Sequence, residues 1–185
     1  MFDKAFVRED LKRYIDSREE LRGVSFCWRL FLALGRSPVF FRIFALRNAQ
    51  WAKRHGLPRC PFLNWVATVR TYNAIQINTL FVGKGLKIEH GNGIVIGAGA
   101  VIGDYATILH QVTVGNKTMD VVGRTQYPKI GDHVFIGAGA KVIGGITVGN
   151  HVTIGANAVV LEDVPDGCTA VGVPARIVRP GNNKT

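Results

Sequence analysis

From residue 76 onward a branched aliphatic returns every six positions: Val82 and Ile88, then Ile96, Ile102, Ile108 and Val114, then Ile130, Ile136, Val142, Val148, Ile154 and Val160. Glycine follows directly at Gly83, Gly97, Gly103, Gly115, Gly131, Gly137, Gly149 and Gly155. A second apolar column stands four places after each aliphatic: Leu86, Ala100, Ala106, Val112, Val134, Ala140, Ile146, Val152, Ala158 and Val164. Only Asn92 interrupts it. A period of six is neither helical nor that of a plain strand. It is the repeat of a parallel β-helix, in which three hexapeptides make one triangular coil of about 18 residues. The aliphatics predict the interior of the prism. The glycines predict corners, where the backbone takes conformations that a Cβ disfavours. Stacked coils bury one continuous core.

Two interruptions break the count. The step from Ile88 to Ile96 holds two extra residues, and the step from Val114 to Ile130 holds ten. The longer insert predicts a loop over 115–129 thrown out from a corner, and long loops in compact repeats tend to carry function. Counting coils through both inserts stacks Ile88, Ile108, Ile136 and Ile154 on one face. Two places further along each rung stand His90, His110, Ala138 and Ala156. Two histidines on adjacent coils, about 4.8 Å apart in backbone, thus lead into a track of small residues flanked by glycine. The pattern suits a long thin cofactor with a base at its end. His90 and His110 are the candidate catalytic pair, since imidazole titrates near neutrality. His133 and His151 fall on other faces, and His55 belongs to the N-terminal half. His90, His110 and His133 are too widely spread for a zinc site, so no metal is expected.

The remaining residues divide the chain into a basic α-helical segment over 1–75, a β-helix over 76–165, and a tail over 166–185. With 47% hydrophobic residues the chain is not a disordered one. Residues 1–75 hold 14 Lys and Arg against 6 Asp and Glu, and no acid occurs between Arg22 and Arg70. Arg22, Arg29 and Arg36 share one helix face; Phe26, Leu30 and Leu34 share another; Ser37-Pro38 marks a break. This segment reads either as a helix packed on the rest with its Arg face in water, or as a basic surface over 22–70 for anionic lipid. No nucleic-acid motif is present. The three cysteines, Cys27, Cys60 and Cys168, form no CxxC pair and read as reduced cytosolic thiols. No secretory signal and no stretch long enough to span a membrane is visible. The expected location is cytoplasmic, with the basic segment suited to the inner face of the membrane.

The stretches HGNGIVIGAGAVIGDYATILHQVTVGN, YPKIGDHVFIGAGAKVIGGITVGNHVTIGANAVVLEDVP and AVGVPARIV resemble the serine acetyltransferase group of hexapeptide acyltransferases over about residues 76–180. The resemblance implies a mainly β fold, a left-handed parallel β-helix with a short helical N-terminal segment. It also implies a homotrimer with acetyl-CoA bound between subunits. By position His90 matches the family's catalytic base, and Ala138 and Ala156 match residues lining the CoA groove. Gly115 and Asn116 match the loop start near the thioester, where backbone N–H groups suit an oxyanion, and Arg176 falls near the nucleotide end of CoA. The departures strike the groups that hold serine. Ile75 stands where the family has an Asp that orients the catalytic His. Tyr127 replaces a second active-site His, Gln126 replaces its neighbouring Arg, and Glu89 replaces an Asp. His110 before VTVGN and the short basic N-terminus resemble the subgroup encoded with capsule, exopolysaccharide and colanic-acid pathways. The expected function is therefore acetyl transfer from acetyl-CoA to a sugar hydroxyl in surface polysaccharide, with Glu89 and Tyr127 contacting the acceptor. The alternatives are a serine O-acetyltransferase of cysteine biosynthesis and a non-catalytic β-helix scaffold. The group that orients His90 is Glu89, Asn78 or a main-chain carbonyl.

Overall fold

The computed structural model describes residues 4–15, 30, 31, 33, 34, 37–57, 75–117 and 126–179. Arg22, Arg29, Arg36, Phe26, Cys27, Cys60 and the loop residues 118–125 lie outside them. Fifteen short strands follow two helices, α1 (Lys4–Ile15) and α2 (Pro38–Arg54). The strands fall into three sheets that form the faces of a prism. The first sheet stacks β1 (Ile75–Ile77), β4 (Ile94–Ile96), β7 (Thr113–Gly115), β10 (Lys141–Ile143) and β13 (Val159–Val160). The second stacks β2 (Phe81–Val82), β5 (Val101–Ile102), β8 (Lys129–Ile130) and β11 (Thr147–Val148). The third stacks β3 (Lys87–Ile88), β6 (Thr107–Ile108), β9 (Phe135–Ile136), β12 (Thr153–Ile154) and β14 (Thr169–Val171), and β15 (Arg176–Val178) closes it antiparallel to β14. All other pairings are parallel, as a β-helix requires. The coil count holds through both inserts: Ile88 pairs with Ile108, Ile108 with Ile136, and Ile136 with Ile154. Every aliphatic of both columns is buried. Where Asn92 breaks the second column, the two-residue insert passes the core place to Ile94, which is fully buried.

The glycines of the repeat act differently from the sequence expectation. None of them has a positive φ, and a left-handed residue falls two places later, at Gly85, Tyr105, His133, Gly139, His151 and Asn157. The glycines are needed because successive corners nearly touch. A Cβ on Gly103 would lie 2.5 Å from the Gly131 carbonyl carbon, and one on Gly137 would lie 2.6 Å from the Ala156 nitrogen.

A stack of coils leaves its first coil with an open ladder edge, and the two helices cover it. On α1, Val7, Asp10, Leu11 and Tyr14 share one stripe at helical spacing. On α2, Phe40, Ile43, Arg47 and Gln50 do the same. Phe40, Ile43, Val7 and Leu11 are buried, so both stripes face inward, and each carries polar groups. The break expected at Ser37-Pro38 is the start of α2. Ser37 caps it by accepting from the Phe40 N–H at 3.1 Å, and Pro38 occupies the first turn, where a missing N–H costs nothing. Arg47, 1% exposed, donates to both Asp10 carboxylate oxygens and to the carbonyls of Val82 and Gly83. Asp10 also accepts from the Leu86 N–H at 3.0 Å. Gln50 donates to the Leu80 and Val82 carbonyls, and Arg13 to those of Gly85 and Tyr105. The Tyr14 hydroxyl accepts from the Ile88 N–H at 2.6 Å and donates to its carbonyl at 3.1 Å. Burial pushes the Tyr14 phenol well above its ordinary pKa, so it keeps the proton it donates. Of the two readings of the basic segment, the described part takes the packed one, with Arg47 turned inward rather than solvated.

Arg47→Ala strands the Asp10 charge and the Val82 and Gly83 carbonyls. It is expected to lower the unfolding free energy by about 3–5 kcal/mol, measured by denaturant titration. Asp10→Ala combined with it should add far less than its own single cost; simple additivity would refute the coupled cap.

Candidate active site

The corner after the third sheet carries the histidines. In the second coil it is a tight turn, with Leu109 N–H bonded to the Ile136 carbonyl and Gln111 N–H to the Asn92 carbonyl. In the first coil the same corner runs from Glu89 to Gly93 and includes the two extra residues of the insert. Glu89 N–H still meets Ile108, at 3.0 Å, but Asn92 rather than His90 is the backbone partner of the next rung. His90 is thus lifted out of the ladder into a left-handed conformation, φ 53°, and is exposed. It does not lie on His110 at strand spacing. The ring centres are 6.0 Å apart and the planes meet at 84°. The same corner continues through Ala138 and Ala156, with Gly139 N–H bonded to the His110 carbonyl and Asn157 N–H to the Ala138 carbonyl. At its far end Val171 abuts Gly155, and Arg176 pairs with Val171 across β14 and β15. His90, His110, Ala138 and Ala156 therefore follow one edge of the prism in the order of the coil count, and Arg176 stands at its end.

The surroundings of His90 are apolar on one side. A methyl group on Gly91 would come within 2.5 Å of Ile75 Cδ1 and 2.8 Å of Val39 Cγ2, so these two side chains wall the corner. Val39 sits in the first turn of α2, a contribution that no local pattern in the sequence signals. Ile75 is buried in the core. Glu89 is bonded to Lys87 at 2.5 Å, and that partner holds its carboxyl below the usual range, so it is ionised near neutrality. Asn78 occupies a different corner, its N–H bonded to the Ile96 carbonyl, and does not orient His90. Lys141 was not singled out from the sequence, because it stands at an ordinary outward strand position. Its ammonium donates to the carbonyls of Gln111 at 2.6 Å and Gly139 at 2.9 Å, tying the His110 corner to the next coil.

Gly115, Asn116 and Tyr127 lie at the next corner, across the first sheet. Gly115 accepts from the Gly144 N–H at 2.9 Å. Tyr127 lies flat over Gly97 and Gly99, where a Cβ would come within 2.5 Å and 2.3 Å of its ring. Within one chain these three do not meet His90. His133 stands at the third corner, stacked between Tyr105 and His151 at 5.0 and 4.9 Å.

Residues 127–162 match the family model described as "Bacterial transferase hexapeptide (six repeats)". The serine acetyltransferase of Synechococcus elongatus is 40% identical over 142 residues, 76% of this chain and 57% of that protein. The chain thus spans less than two thirds of that relative. The structure of soybean serine acetyltransferase superposes with a TM-score of 0.73 at 38% identity, covering 94% of this chain and 68% of the other. A Brucella abortus serine acetyltransferase in complex with coenzyme A superposes with a TM-score of 0.70 at 31% identity, covering 95% and 67%. The chain belongs to the hexapeptide-repeat acyltransferase family. The relatives are serine acetyltransferases, and the expected kinship with the polysaccharide subgroup finds no support among them.

Gly91→Ala forces a methyl against Ile75 Cδ1 and shifts the residue next to His90. Acetyl transfer is expected to fall by up to about 10²-fold, the cost of a displacement near 1 Å. Ile75→Val, which removes that Cδ1, should restore much of it in the double variant. No recovery would mean that Ile75 does not set the corner.

Proposed function

We propose that the protein transfers acetyl from acetyl-CoA to a hydroxyl, with His90 as general base. The observation that carries this is a single exposed histidine, lifted from the ladder at the head of an edge of small residues that ends at Arg176. A pantetheine arm fits along Ala138 and Ala156 because no side chain larger than methyl stands there, and Arg176 offers a cation to the nucleotide end. An alcohol is a poor nucleophile near pH 7 and needs a base within hydrogen-bond reach. His90 takes the hydroxyl proton as the oxygen attacks the thioester carbonyl. It returns that proton to the departing thiolate when the C–S bond breaks.

L-Serine is the first acceptor to test, because the relatives are serine acetyltransferases. Glu89, ionised, suits its ammonium. A neutral sugar hydroxyl is the second reading, and the wall of Ile75 and Val39 favours it. The nearby cations Lys87 and Lys141 are engaged with Glu89 and with backbone carbonyls, so neither is free for a carboxylate. The site uses two copies of the chain. The His90 corner and the Tyr127 corner flank the same sheet, so a ring of three copies brings one copy's Tyr127, Gly115 and Asn116 to its neighbour's His90. An association of residues 22–70 with anionic lipid rests on their charge alone, and failure to bind anionic vesicles at low salt would remove it.

Thiol release from acetyl-CoA, followed with L-serine in one series and sugar acceptors in another, separates the two readings. His90→Ala is expected to lose roughly 10²–10⁴-fold in rate with whichever acceptor works. Full activity in that variant, or an active monomer, would refute the assignment.

A further inference from the structure

The two histidines of the corner are not equivalent. His110 is half-buried, and its Nδ1 is enclosed without a hydrogen-bond partner. A proton on that nitrogen would be an N–H sealed away from any acceptor, and a cationic ring would add an uncompensated charge. Only the neutral ring with its proton on Nε2 avoids both. His90 is exposed. Among the described residues the titratable groups around the pair are Lys87 and Glu89, bonded to each other on the first coil, Arg13 and Tyr14 of α1, bonded to Thr107 and to the Ile88 backbone, and Lys141 on the following coil, bonded to carbonyls. None of them is bonded to Nδ1 of His110.

Within one chain Gly115 and Asn116 stand at the other corner, and in the ring of three they reach His90 from the neighbouring copy; His110 is the side-chain donor that the His90 corner itself supplies. His110 stands between His90 and Ala138 on the edge that the acyl carrier follows. A thioester whose tail lies along Ala156 and Ala138 reaches His110 before it reaches His90. We infer that His110 is a fixed neutral donor rather than a second base: its Nε2–H bonds the thioester carbonyl oxygen and holds the negative charge that develops there. This rests on the acetyl-transfer reading above. In the step, the acceptor O–H proton passes to His90, the new C–O bond forms, and the carbonyl oxygen becomes an oxyanion on His110. The oxyanion collapses as the C–S bond breaks, and His90 protonates the thiolate. His110 releases no proton at any stage.

The test joins two measurements. Nitrogen NMR of histidine-labelled protein without substrate, with His110→Gln used to assign the signal, should show His110 as the neutral Nε2–H form throughout about pH 6–8, the range in which an ordinary imidazole titrates. In steady-state kinetics, His110→Phe should lower kcat by about 10²–10³-fold, the cost of one lost oxyanion donor. KM for acetyl-CoA should change little. His110→Gln, which keeps an N–H donor, should recover most of that loss, and the acid limb of the pH profile should remain in both variants. A His110 that titrates, or a His110→Gln protein as inactive as His90→Ala with its acid limb gone, makes His110 a base and overturns the inference. Full activity in His110→Phe also overturns it. Wild-type protein that acetylates no acceptor refutes the activity itself, and the NMR result then still decides the ionisation state of His110.

Discussion

Each coil of this prism satisfies its backbone by lying on another coil, and among the described residues no further coil covers the outer side of the first. The Asp10–Arg47 pair resolves that problem. Arg47 reaches from α2 to two carbonyls of the open edge, and Asp10 reaches from α1 to an N–H of the same edge. Buried charges are costly unless paired and bonded, and here each is both. The pair also fixes where the two helices sit. That placement lets Tyr14 occupy both backbone groups of Ile88, two residues before His90, and sets Val39 against Gly91. The cap of the fold and the wall of the reactive corner are one assembly.

The corner itself owes its chemistry to two extra residues. Without them the first coil would turn as tightly as the second, and the histidine would lie in the ladder beside its neighbour. With them, His90 takes a left-handed backbone and stands in solvent, while His110 keeps its regular place and a nitrogen in the core. The same residue type thus acquires two environments one coil apart, one ring in solvent and the other with its Nδ1 enclosed.

The apolar wall bears on the acceptor. Ile75 and Val39 set hydrocarbon against the residue next to His90. The carboxylate beside the imidazole is Glu89, and Lys87 is bonded to it. Kinship argues for serine and local chemistry for a neutral hydroxyl; the two arguments draw on different residues of one site.

The six-residue period, the coil registry from Ile88 to Ile154 and the edge order from His90 to Ala156 were all legible in the sequence. Each follows from spacing along a chain whose every coil repeats the last. His90, His110, Ala138 and Ala156 were legible for the same reason, whereas Arg176 came only from the family resemblance. What the period could not reveal comes from contacts between segments far apart in the chain. Nothing within their own helices marks Arg47 and Asp10 as partners, or Val39 as a neighbour of the His90 corner. The glycines read as flexible corners, although the nearness of the next coil is what demands them. Tyr127 and His90 look close by their places in the family pattern, yet they stand on different corners of one prism. Periodicity fixes position along the coil; which groups meet at its end is decided by what packs against them.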